Sequence, residues 1–128
     1  MSALAKILIM LIRLVALVAI VFGIILFLGH SENPQNSIAA HFALGFLLTI
    51  ALFLLGVVGI MRKVVPLGVL GILFAIALPI TGFKQIATIG PHVGVPQILH
   101  IIVVLAALGI AEATAAKIKR LNATTAGA

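Results

Sequence analysis

The 128-residue chain has no cysteine, no tryptophan and no tyrosine, and its only acidic residues are Glu32 and Glu112. Without thiols there can be no disulfide, no thiolate-held zinc or iron–sulfur cluster, and no thioether-linked haem. Two carboxylates leave little material for the paired-carboxylate chemistry of hydrolases. Lack of Trp and Tyr removes the usual interfacial aromatic belt, so anchoring falls to Lys, Arg and Phe. Charged residues are 8% of the chain, against about 25% in an ordinary soluble domain. The remainder is apolar to match: 64% of residues are hydrophobic and the mean hydropathy is +1.44. A soluble fold of this length could not cover so much apolar surface. The chain therefore reads as an integral membrane protein whose first partner is the lipid bilayer, with no room for an extramembrane domain.

Four apolar runs predict four spans, at about 7–29, 37–61, 64–83 and 96–118. Each approaches or exceeds the roughly 20 residues a crossing needs, and unsatisfied backbone groups in lipid demand helices. Pro66 falls in a first turn, where proline is tolerated, and Pro79 lies near the end of its run. Short breaker-rich connections (GHSENPQN at 29–36, Arg62-Lys63, and KQIATIGPHVGV at 84–95) join the runs. The fold class is thus all-α: a single-domain four-helix up-down bundle spanning residues 1–128. The first run lacks a small-residue cleavage site and reads as a retained span. Residues 121–128 read as a small polar tail.

The net charge of +6 could suggest nucleic acid, but Lys and Arg sit at the ends of the apolar runs and no basic-aromatic interleaving accompanies them. They read as topology signals. Lys6, Arg13, Arg62, Lys63, Lys117, Lys119 and Arg120 fall toward one side and only Lys84 toward the other. By the positive-inside rule both termini are expected in the cytoplasm, in a bacterial inner membrane.

All four histidines, His30, His41, His92 and His100, fall at the opposite, outer side. His41 and His100 are the sharper pair. Counted from expected helix starts at Ser37 and Pro96, each lies four residues in, on helices running the same way. On diagonal helices of a bundle, two imidazoles at equal depth can point at the common axis, as the axial ligands of a six-coordinate haem iron must. Small residues accompany them: Gly45, Thr49, Gly56 and Gly59 on the second helix, and Ala107, Ala111 and Ala115 on the fourth, share roughly the histidine face at about 100° per residue. Such faces also serve close helix packing in lipid, so polar packing or capping is the competing reading.

The stretch His41-Phe-Ala-Leu-Gly45 followed by Phe-Leu-Leu resembles the His-x-x-x-Gly helix starts of small four-helix membrane b-type cytochromes. That resemblance implies haem b held by His41 and His100 beside Gly45, and electron exchange with quinone or quinol. A second, inner histidine pair is absent, so at most one outer haem is implied. His30 and His92 each precede a proline by four residues, a hint that the two hairpins are similar, although their distances to His41 and His100 differ by three. With Lys84 they could hold haem propionates. They could also sit beside a quinone head, form a zinc or copper site with Glu32, or be solvated loop residues.

Arg13 and Glu112 each lie 16 residues from the outer end of their runs and form a candidate structural ion pair; separate snorkelling or a proton-transport role for Glu112 are the alternatives. No nucleophile–base constellation is visible, so a stand-alone enzyme is not indicated. The leading expectation is a haem protein transferring electrons through one bis-histidine b-type site. The alternatives are an accessory subunit of a larger membrane complex without a cofactor, a proton-coupled transporter, and (bacterio)chlorophyll in place of haem. Other membrane subunits or a homo-oligomer are the expected protein partners.

Overall fold

The computed structural model describes residues 3–29, 32–86 and 94–126. Four helices follow in order: α1 (Ala3–Phe27), α2 (Pro34–Met61), α3 (Val65–Ile86) and α4 (Val95–Ala126). All four are long and apolar enough to cross a membrane. The chain is therefore an all-α four-span bundle.

Local chemistry sets most of the ends. Gly29 takes φ 65° just past α1, where a left-handed residue closes the helix without steric cost. Asn33 caps α2, its side-chain oxygen accepting from the Asn36 amide, and Pro34 follows at the first helical position. The α2–α3 turn is a Schellman closure: the Val64 amide donates to the Gly59 carbonyl and the Lys63 amide to that of Ile60. Lys63 holds the left-handed position usually given to glycine, at φ 61°. At the head of α4 the Gln97 side chain accepts from the Gly94 amide, half of a capping box.

One expectation is corrected here. The stretch after residue 120 is not a featureless tail, because α4 continues to Ala126. Leu121, Ala123 and Ala126 propagate helix readily once a long helix precedes them. Thr124 folds its hydroxyl back onto the Leu121 carbonyl at 2.8 Å.

Each helix packs on its chain neighbour. α4 also touches α1 and, across a diagonal, α2, while α1 and α3 make no contact among the described residues. The α2–α3 seam is the tightest. A β-carbon placed on Gly56 would lie 2.7 Å from the Gly68 carbonyl oxygen, and one on Gly68 would lie 2.6 Å from that of Gly56. Only hydrogens at both positions allow such approach, which is how helices gain packing in lipid. The core runs through Ile12, Leu52, Leu55, Ala111 and Ile118.

A burial pattern recurs between the two hairpins. His41 and His100 are 59 positions apart, and Gly23 and Gly82 are separated by the same offset. At this offset buried residues correspond in number: Ala16 with Ala75, Ala19 with Leu78, Leu48 with Ala107, Leu52 with Ala111, Leu55 with Thr114. The similarity between hairpins is therefore organised on His41/His100. The His30/His92 spacing differs from it by three residues.

Candidate functional site

The two hairpins meet at His41 and His100. Their helices start at different distances from them, with His41 seven residues into α2 and His100 five into α4. Packing nevertheless brings the rings to a centroid separation of 6.3 Å at an interplanar angle of 67°. Each ring lies over a glycine of the preceding helix. A β-carbon on Gly23 would stand 3.2 Å from His41 Cε1, and one on Gly82 would stand 3.4 Å from His100 Cε1.

A hydrogen bond engages Nδ1 of each ring. His41 Nδ1 is 2.9 Å from the Ala19 carbonyl oxygen, which can only accept, so Nδ1–H donates. His100 Nδ1 is 3.1 Å from Thr81 Oγ1. The single Thr81 hydroxyl proton is already directed at its own helix, 3.0 Å from the Ala77 and 3.1 Å from the Leu78 carbonyl. Thr81 Oγ1 therefore accepts, and His100 Nδ1 donates. In the tautomer with the proton on Nδ1, Nε2 of each ring carries the lone pair, the arrangement in which a second hydrogen bond orients a metal-ligating imidazole.

One and two turns along from the histidines stand Leu44 and Leu48 on α2 and Val103 and Ala107 on α4, all part of the apolar core. Gly45 faces open space, since an added β-carbon there meets nothing within 4 Å. Gly56 and Gly59, by contrast, are consumed in packing against Gly68 and, for Gly59, Thr114; they are not room beside the imidazoles. Lys84 is exposed in the last turn of α3, on the histidine-bearing end of the bundle. His30 and His92 lie outside the described residues. Among the described residues no three His, Asp or Glu side chains gather as a metal cluster, so any metal here rests on a histidine pair.

Arg13 and Glu112 meet on the α1–α4 seam. Arg13 Nε donates to Glu112 Oε1 at 2.6 Å and its terminal nitrogen to Oε2 at 2.7 Å, a bidentate pair. They line a groove with Ala16, Leu17, Ile20 and Leu108.

The sequence reading does not single out Ala19, Gly23, Thr81 or Gly82. A signal for the glycines was available: Gly23 precedes His41 by 18 residues and Gly82 precedes His100 by the same distance. Ala19 acts through its backbone, which carries no residue-type signal at all. No family model, no curated protein and no solved structure matches this chain.

Proposed function

We propose that this chain is a small membrane haem protein in which His41 and His100 ligate one b-type haem and the protein exchanges electrons with a lipid-soluble quinol or with a partner complex. The observation that carries the reading is the close pair of imidazoles from two hairpins, each with its Nδ1 engaged in a hydrogen bond. Two imidazoles facing each other across one metal, with bonds of about 2 Å, have centroids roughly 6 Å apart. The 6.3 Å separation fits that requirement.

The residues present suit the group. Both donors are neutral nitrogen ligands, and the apolar side chains of Leu44, Leu48, Val103 and Ala107 offer the surroundings a macrocycle packs against. Open space at Gly45 lies one turn from His41. A bound haem would supply one-electron redox chemistry. The chain's own part is to hold two lone pairs at fixed orientation through Ala19 and Thr81, and to keep water away with its aliphatic core. The charge asymmetry supports an orientation with this end of the bundle on the outer side of a bacterial inner membrane and both termini cytoplasmic.

The test is an absorption spectrum of detergent-purified protein made with ample haem supply. A Soret band lost in His41→Ala and in His100→Ala is the expected result. A colourless wild-type protein overturns the reading, and if it also co-purifies with a large complex it supports the accessory-subunit alternative. A chlorophyll spectrum would reassign the pigment.

A further inference from the structure

At the 59-residue offset the α2–α3 seam corresponds to the α4–α1 seam, yet the chain treats them differently. At the 59-residue offset, Ile72 corresponds to Arg13 and Phe53 to Glu112. Each seam carries a groove facing outward, and the two grooves share equivalent positions: Ala75 and Ala16, Ile76 and Leu17, Thr49 and Leu108, Phe53 and Glu112. One is wholly apolar apart from Thr49. The other ends in an ion pair.

That ion pair is not covered by the bundle. The side chains of Arg13 and Glu112 are 62% and 47% exposed, on a stretch of helix whose surroundings are lipid. A guanidinium has five N–H donors and a carboxylate about four acceptor sites, and the bidentate contact uses only two of each. The remainder find no further partner among the described residues. Hydrocarbon offers none either, and intramembrane charges of this kind characteristically face protein or water.

We infer that this seam is where two copies of the chain pack side by side in the membrane, the free donors of Arg13 turning to the partner's Glu112 and the reverse. The commitment to a second copy rests on complementarity. A two-fold axis along the membrane normal puts both ion pairs at one depth automatically and alternates their charges, so the remaining acceptor sites of each carboxylate meet donors of the partner's guanidinium. The neighbouring face of α4 permits the approach. Glu112 is flanked there by exposed Gly109, Ala113 and Ala116, and a β-carbon added to Gly109 meets nothing within 4 Å. Small residues four apart let helices come close in lipid. The inference is independent of the haem reading.

Because the chain has no cysteine, single replacements report cleanly. Gly109→Cys, Ala113→Cys and, as a lipid-facing control on α3, Leu73→Cys are oxidised in native membranes and run on non-reducing gels. Disulfide formation needs α-carbons within about 7 Å. Conversion of the 13.3 kDa band to one of doubled mass at position 109 or 113, and not at 73, is expected. Glu112→Gln should reduce that conversion, and the exchange R13E/E112R should restore it, which separates interface loss from misfolding. Equal or absent cross-linking at 109, 113 and 73 overturns the proposal. So does wild-type protein of monomeric mass in lipid nanodiscs, or a cross-link to a heavier, different polypeptide.

Discussion

His41 and His100 lie on separate hairpins with their ring centroids 6.3 Å apart, and each ring is held by a hydrogen bond at Nδ1, to the Ala19 carbonyl and to Thr81 Oγ1. The groups that hold the two rings can be varied one at a time.

Thr81 is the one side chain among those orienting groups. Thr81→Val keeps its shape and deletes the acceptor for His100 Nδ1, freeing that ring to rotate or change tautomer. Loss of such a supporting hydrogen bond typically lowers metal affinity about 10- to 100-fold. The expected outcome is that drop in haem affinity, read by titrating haem into apoprotein, with recovery in Thr81→Ser. Unchanged affinity in Thr81→Val would show that Thr81 does not position the ring. His41 offers no parallel substitution, because its acceptor is the Ala19 backbone.

Gly23→Ala should displace the His41 imidazole without unfolding the bundle, and Gly82→Ala should leave His100 nearly in place. Each new methyl would meet Cε1 of its histidine, at 3.2 Å for Gly23 but at an ordinary van der Waals distance of 3.4 Å for Gly82. The measurement is the position and width of the Soret band together with haem retention. Gly45→Ala is the informative companion. In apoprotein it should leave thermal stability unchanged, since nothing lies within 4 Å. A loss of haem retention there would place the macrocycle edge beside it.

Gly68→Ala should weaken the α2–α3 seam. Its methyl would sit 2.6 Å from the Gly56 carbonyl oxygen and 2.8 Å from the Ile60 amide nitrogen, backbone atoms that move only with their helix. Overpacking of this kind costs about 1–3 kcal/mol. The check is thermal denaturation in detergent, where a lowered transition is expected for Gly68→Ala and for Gly56→Ala. An unshifted transition in both would mean the seam is looser than the geometry requires.

Orientation is testable from the same cysteine-free background. Glu32→Cys, at the histidine-bearing end, should react with a membrane-impermeant thiol reagent on intact cells. Ala123→Cys, near the other end, should react only after the membrane is opened. The opposite pattern would put both termini outside.

The four-helix membrane architecture was legible in the chain because apolar length and the scarcity of interior charge leave lipid-spanning helices as the only way to satisfy the backbone. Helix ends were less legible. The roughly polar stretch after Arg120 carries no hydropathy signal, and only propagation of an existing helix carries α4 to Ala126. The histidine pair was visible as a matched depth on parallel-running helices. Counting from helix starts does not reproduce that match, since the starts are unequal, and the 59-residue repeat describes it better.

Composition and spacing alone determined that this protein lives in a bilayer, which residues are polar enough to matter, and that His41, His100, Arg13 and Glu112 are among them. Tertiary structure decided what each of them meets. Which carbonyl receives a ring proton, which glycine admits an imidazole, and which seam is left with an uncovered ion pair all depend on the rotation of one helix against another. Rotation is set by summed side-chain packing, as at Gly56 against Gly68, and no single residue in the chain records it.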